Sequence, residues 1–380
     1  MFATKQTTIV PEIHGKQDAT GVNLGQVPNL ELESGTTGAP GHIIQQDGSK
    51  FDLQFSRMNL GKIYYHSLYE FTGTINFNSC GVNTGYYGPT LTQARTQYAS
   101  EPLQSSWRNN IDYFNVIAGV QFFNVPVTGT YSYTVKGSRG GDATYAGLGI
   151  SLTSSATLYS GETLKIVCGQ KGNYDGAQYA GGGGASFIAV FRMGVWIPLL
   201  VAGGGAGQSG NSPNSSNSNR NAFAPETGKG DYATWGGSGS LYNTSYSSDI
   251  GLYWPGGGGG GWSSDGNSGG IGRRPTHQAI GGKCLNSDAP FGGFWTSEDG
   301  VGNGSGDGVT NGGFGGGGAT GRASGAAGGG GGWWGGNSSY SGTSQTSDDT
   351  TTLGGGSHSL NSYTNNGTNN GPGEVSLTLT

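Results

Sequence analysis

Histidine, cysteine and carboxylate side chains build most catalytic and metal sites, and in this sequence they stand apart from one another. His14, His42, His66, His277 and His358 form no H-E-x-x-H pair and have no cysteine at ligand spacing, so surface or hydrogen-bonding roles suit them better than metal ligation. Cys80, Cys168 and Cys284 are an odd number without a C-x-x-C spacing, which reads as buried free thiols. The stretch Glu298 to Gly308 has the composition of a calcium loop, but Val301 interrupts its ligand periodicity and no Glu stands at the twelfth position. Gly256–Gly261 satisfies G-x-G-x-x-G only because it is all glycine, with no strand-to-helix context. Gly282-Lys283 is followed by Cys284 and Gly228-Lys229 by Gly230, so neither supplies the hydroxyl with which a phosphate loop holds magnesium. Carboxylates such as Asp231, Asp249 and Asp265 show no spacing of a glycosidase pair. The expectation is a protein without catalytic residues, metal or cofactor.

What remains is contact chemistry. Trp and Tyr faces stack on sugars and other flat partners, while Asn and Ser supply adaptable hydrogen bonds. The candidate contact residues are Trp235, Tyr242, Tyr246, Tyr253, Trp254 and Trp295, set in polar stretches between glycine runs. The same rings serve equally well as packing for those runs. Sequons at Asn214, Asn243, Asn303, Asn337 and Asn366 matter only on a secretory route, and an Asn/Ser/Gly-rich chain produces them by chance.

The elements that must hold such residues follow from composition. Of 380 residues 80 are glycine, about three times ordinary usage of ~7%. Charged residues are 11% and the net charge is -5, so an ordinary helical enzyme is disfavoured and no basic footprint for nucleic acid exists. Aromatics at 11% argue for an ordered chain, not a flexible linker. No apolar leader follows Met1, and the longest apolar run, Val195 to Ala202, is too short to span a bilayer. The expectation is a product made in the cytoplasm without membrane insertion.

Residues 1–50 are polar and irregular and read as an arm. From residue 51 short segments of strand composition recur: Phe51–Phe55, Thr74–Phe77, Val120–Val125, Gly149–Thr153, Leu164–Cys168, Ser186–Phe191 and Ile197–Val201. The spacing predicts a hairpin joining Phe122–Pro126 to Thr130–Val135 through Val127-Thr128-Gly129. An all-β fold results, an antiparallel β-sandwich over residues 51–202 of jelly-roll or TNF-like type. After Val201 strand text almost vanishes until residues 373–380, where Val375, Leu377 and Leu379 alternate as a returning strand.

Residues 203–372 would then be an insertion. Of the glycines, 52 lie after residue 200, and six runs recur: Gly181–Gly184, Gly203–Gly205, Gly256–Gly261, Gly315–Gly318, Gly328–Gly332 and Gly354–Gly356. A glycine run buries no side chain, so an ordered one must satisfy its backbone groups against neighbours. An extended helix of three residues per turn does so, rising ~3.1 Å per residue with its polar groups pointing outward. The expected architecture is a lobe of packed polyglycine helices, with Trp235, Trp254, Trp262, Trp295, Trp333 and Trp334 sealing its faces. Collagen is excluded, because no Gly-X-Y period exists and prolines number only 13.

Four ordered blocks, Thr128–Tyr131 with Lys136–Gly141, Ser160–Gly172, Gly181–Ile188 and Pro198–Gly205, resemble the glycine-rich domain family. Its familiar members lie in the ectodomains of anaplastic-lymphoma-kinase-type receptors, and others are structural proteins of viruses and phages. The resemblance covers about residues 120–380 and implies a sandwich joined to polyglycine helices. Phe71–Phe77, Gly85–Tyr98, Ser106–Asn110 and Gly119–Pro126 are similar to the virion branch, whose members need no signal, membrane span or kinase. What it implies is a non-enzymatic fibre, adhesin or appendage subunit that assembles in the host cytoplasm and is exposed on the particle. Its residues 1–50 would meet other virion proteins, a host receptor or glycan would meet its loops, and family analogy makes it a homo-oligomer, a trimer. The other reading is a secreted extracellular matrix or receptor-type binding module.

Overall fold

A computed structural model of the chain describes residues 41–44, 50–53, 71, 73–99, 105–176, 179–208, 220–225, 236–237, 256–269, 278–297, 300–302, 310–320, 327–338 and 352–380. The chain divides into two units, one made of Met1–Glu70, Val125–Thr128 and Tyr159–Gly161, the other of the remaining residues. In the first, β1 (Gly41–Ile44) pairs antiparallel with β2 (Lys50–Leu53), Ile44 opposite Lys50. Also in it, the Gly161 amide donates to the Val125 carbonyl at 2.8 Å, and the Ser160 hydroxyl to the Pro126 carbonyl at 2.9 Å.

The second unit holds mostly antiparallel strands. In chain order they are β3 (Thr74–Phe77), β4 (Phe114–Ile117), β5 (Val120–Asn124), β6 (Gly129–Lys136), β7 (Gly149–Leu158), β8 (Thr163–Val167), β9 (Ser186–Arg192), β10 (Val195–Ala202), β11 (Gln278–Ala279), β12 (Trp295–Ser297), β13 (Gly300–Gly302), β14 (His358–Ser359), β15 (Tyr363–Asn369) and β16 (Glu374–Leu379). One sheet runs β14-β10-β9-β8-β5-β4 and another β15-β7-β6-β16-β3, with a small sheet β11-β12-β13. The all-β expectation holds, and β16 lies between β6 and β3, Leu377 opposite both Tyr133 and Ile75. Period-two alternation explains the placement. Tyr131, Tyr133, Val135, Val375 and Leu377 are fully buried on one sheet, as are Phe123, Leu164, Ile166, Ile188 and Val190 on the other. Each such Val, Leu, Ile or Phe side chain contributes about 1.5–3 kcal/mol on burial. Aromatic rings join the sheets: Phe77 on β3 meets Phe123 on β5 edge-on at 5.4 Å.

Two expectations are corrected. The segments around Phe123 and Tyr131 do not form a hairpin. Phe123 pairs with Phe114 and Leu164, whereas Tyr131 pairs with Ala156 and Leu379, so the connection between β5 and β6 passes from one sheet to the other. Pro126 has no amide to continue a ladder. The turn that does close β4 on β5 is Ala118-Gly119, with φ of 48° and 84°, a two-residue loop in the left-handed region. Nor is the C-terminal strand the chain's sole return to the sheets, since β15 pairs with β7 along an edge. Its text, Tyr-Thr-Asn-Asn-Gly-Thr-Asn, is polar because its side chains are mostly exposed, and its Asn-Gly marks a register shift between Asn365 and Thr368, not a turn. A short helix, α1 (Leu91–Gln97), also interrupts the β text. It starts at a capping box in which Thr90 Oγ1 accepts from the Gln93 amide and Gln93 Oε1 accepts from the Thr90 amide.

The glycine runs hydrogen-bond to one another with a period of three. The amides of Gly181 and Gly184 donate to Asn173 and Gln170, whereas Gly182 donates to Gly318 and Gly183 to Gly205. Gly204 and Gly207 donate to Gly331 and Gly328, Gly257 and Gly260 to Ala319 and Gly316, and Gly329 and Gly332 to Gly257 and Gly260. Donors three residues apart thus reach one neighbouring segment, and the intervening donors reach others. The approach is close: a Cβ on Gly204 would stand 2.3 Å from the Gly183 carbonyl oxygen. Gly204→Ala should therefore cost about 2–3 kcal/mol of stability in chemical denaturation. Gly371→Ala, whose Cβ would meet nothing nearer than Asn369 Oδ1 at 3.6 Å, should change it by less than about 1 kcal/mol; equal effects would mean that the runs are not packed this closely.

Candidate functional site

Of the six residues singled out for receptor contact, Trp295 is the one among the described residues. It lies on β12, 3% exposed, packed with Ala279 and Ala319, and its amide donates to Asn311 Oδ1 at 3.1 Å. A ring so enclosed packs instead of presenting a stacking face. Trp235, Tyr242, Tyr246, Tyr253 and Trp254 lie outside the described residues. Two of the other tryptophans flank the runs as packing groups: Trp262 lies 5.3 Å from Phe187 and 5.6 Å from Trp333, in one cluster with Val120, Val167, Val201, Leu285 and Phe314.

The buried groups of chemical interest form a polar knot near β3. Tyr98 Oη donates to Gln121 Oε1 at 2.6 Å, and Gln121 Nε2 donates to the Asn78 carbonyl at 2.9 Å. The Cys80 thiol stands 3.5 Å from Tyr98 Oη, and Cys168 Sγ lies 3.9 Å from Gln121 Nε2. Burial pushes the Cys80 thiol up to about 11 and the Cys168 thiol well above its ordinary value. Burial raises Tyr98 as well, and the neighbouring thiols add to the effect. These groups stay protonated at neutral pH, which suits structural hydrogen bonding and opposes nucleophilic use. Among the described residues no group of three or more His, Cys, Asp or Glu could hold a metal ion.

Two further groups tie the glycine-rich half to the sheet. Lys165 on β8 is 1% exposed, and its Nζ donates to the carbonyls of Asn286 at 3.1 Å and Ser287 at 2.8 Å while standing 5.8 Å from the Trp196 ring. Burial lowers its pKa, opposed by the charge of Asp288. His358 on β14 stacks on Trp333 at 3.9 Å between centroids and 15° between planes, and burial lowers its pKa below 6.5.

Among the described residues, one exposed feature with ligand-like chemistry is on the six-stranded sheet. Register places Asn115, Phe122, Lys165 and Ala189 in one row across β4, β5, β8 and β9. The two-residue turn Met193-Gly194, with φ of 51° and 81°, sets Phe191 opposite Trp196. Their rings lie 5.1 Å apart, and Trp196 is 5.9 Å from Phe122. Phe191 is 44% exposed and Met193 96%. A depression of about 260 Å³ adjoins this strip, lined by residues that include Asp112, Asn115, Ile117, Phe122, Asn124 and Thr163. None of these had been singled out in the sequence. The signal that would have found Phe191 and Trp196 is Met193-Gly194, a turn short enough to fix which rings face each other. No protein-family model matches the chain.

The burial of the thiols sets their reactivity. Iodoacetamide at pH 8 should leave Cys80 and Cys168 unlabelled in the folded chain under conditions that label both after denaturation, read by peptide mass mapping; rapid native labelling of either would contradict the enclosed knot. For His358, a folded pKa below 6.5 means that its stability contribution is present above pH 6.5 and is lost as the pH falls through the lower folded value. His358→Phe, which keeps a ring on Trp333, should therefore lose less stability than the parent between pH 8 and pH 5 in parallel thermal melts.

Proposed function

We propose that this chain is a non-enzymatic structural protein of a virus or phage particle, a fibre, adhesin or capsid or tail appendage subunit that contributes to host-surface attachment. In this reading an antiparallel β-sandwich of jelly-roll or TNF type carries, between β10 and β16, a lobe of packed polyglycine helices. The observation that carries it is the period-three hydrogen bonding of the glycine runs, which is what an extended helix of three residues per turn requires of its neighbours.

A core of that kind contains no side chains to titrate, attack or bind a metal. It is suited to holding loops rigidly, and loops on a rigid scaffold are where recognition concentrates. The buried, protonated thiols and tyrosine of the sheet region point the same way, since their pKa values are moved away from the neutral range in which acid–base catalysis works. The resemblance of the four sequence blocks to the glycine-rich domain family adds the virion setting. Residues 1–50 then attach to other particle proteins, residues 208–254 meet the host surface, and assembly is as a homo-oligomer, a trimer by family analogy.

Peptide mapping of purified virus particles tests this directly. The chain should be present at several copies per particle, and exchanging residues 208–254 for those of a related chain should change host adsorption without loss of assembled particles. Recovery of the chain only from cell envelopes or medium, with a clipped N-terminus or glycans on the sequons, would establish the secreted-module reading in its place.

A further inference from the structure

The face of the six-stranded sheet that bears Val167, Phe187 and Ala189 is covered by Trp262, Leu285 and Phe314. Toward β4 and the β9–β10 turn that cover ends. Ile117 there is 54% exposed, and Phe122 and Trp196 are only partly buried. The depression beside them combines two chemistries. Phe122 and Ile117 offer an apolar wall, and Asp112, Asn115, Asn124 and Thr163 offer polar groups.

Those polar groups divide by what they already do. Asn124 is committed, because its amide donates to the Asp112 carbonyl and its Oδ1 accepts from Thr163 Oγ1. Asn115 Oδ1 accepts from the Val116 amide at 2.8 Å, and its NH2 group makes no hydrogen bond among the described residues. The Asp112 carboxylate likewise has no hydrogen-bond partner among the described residues, and Asp112 is exposed. A carboxylate acceptor, an amide donor and an aromatic ring therefore surround one small space, held on two strands and on a turn whose Asp112 carbonyl accepts from the Asn124 side chain.

Charge narrows the occupant. The lining includes one carboxylate and no Lys, Arg or His, and the nearby cation, Lys165, is spent on the carbonyls of Asn286 and Ser287. Phosphates, sulfates and uronic acids are repelled. The volume of about 260 Å³ lies just below the range of drug-sized pockets, ~300–1,000 Å³, so it suits one ring and not a folded peptide element. We infer that this depression is a binding subsite for a neutral saccharide. A pyranose there lays a C–H face on Phe122 and gives hydroxyl protons to Asp112 while Asn115 donates to a ring hydroxyl, and the half-buried ring of Trp196 and the exposed ring of Phe191 extend the track for neighbouring sugars. The inference uses none of the loop residues proposed for host contact and does not depend on the chain belonging to a virus particle.

The test uses the full chain in saturation-transfer NMR and calorimetry with maltohexaose, cellohexaose, mannohexaose and galactohexaose, and with sialyllactose and trilysine as charged controls. At least one neutral hexasaccharide should bind with Kd below about 1 mM, and Asp112→Ala should weaken it about tenfold or more, the scale of one lost charged hydrogen bond. Asp112 is exposed, so that variant should melt as the parent does. Phe122→Leu, which keeps apolar bulk but loses the ring, should weaken binding similarly, and if it melts early the Asp112→Ala result alone decides. Binding by none of the neutral sugars, binding that Asp112→Ala leaves intact, or preference for trilysine or sialyllactose would overturn the inference. Presence or absence in purified particles bears only on the virion reading, so the two fail separately.

Discussion

The constraint on which the rest of this structure depends is that a backbone without Cβ atoms can satisfy its amides only by approaching other backbone. At Gly204 the room for a side chain is already taken by the carbonyl of Gly183, and the Gly204 amide is bonded to Gly331 at 2.8 Å. A buried peptide group left without a partner costs free energy comparable to a lost hydrogen bond, so a run that packs this way is held in register by its neighbours on several sides. The unfolded chain pays no such penalty, and glycine loses more conformational entropy on ordering than any other residue. The arrangement is favourable only as a whole: many runs must assemble together before any one is stable. The sheets supply the frame against which that assembly forms, and Trp262, Leu285 and Phe314 supply the apolar contact between the two.

The bonded period of three also explains why the runs are short and numerous. Each run meets several partners in turn, as Gly182 meets Gly318 and Gly183 meets Gly205, so a single long glycine tract would have only itself to bond. Several short tracts returning past one another provide partners in every direction.

Much of the sheet was legible in the sequence because strands with one buried face alternate. The segments at Thr74–Phe77, Leu164–Cys168, Ser186–Phe191 and the C-terminal residues were each readable from apolar residues two apart. Pairing was not legible in the same way. Val120–Val125 and Thr130–Val135 look like a hairpin because a Thr-Gly pair stands between them, yet the decisive turn is Ala118-Gly119, a weaker-looking pair whose left-handed backbone is set by β4 and β5 themselves. The edge strand β15 was hidden because exposure removes the apolar alternation on which reading depends. The candidate saccharide subsite was hidden for a related reason: Asp112, Asn115 and Phe122 come from two strands and a turn, and only register brings them together. In Trp295, by contrast, the sequence left two roles open, and its 3% exposure describes a packing role.

Hydrogen exchange at single-residue resolution is the most direct test of the claim that glycine backbone forms a hydrogen-bonded core. The account predicts that the amides of Gly182, Gly183, Gly204, Gly257, Gly260 and Gly331 exchange as slowly as those of the central strands β6 and β8, because each lies in the same cooperative unit as its partners. Exchange of these amides at the rate of an unstructured chain while β6 and β8 stay protected would contradict it.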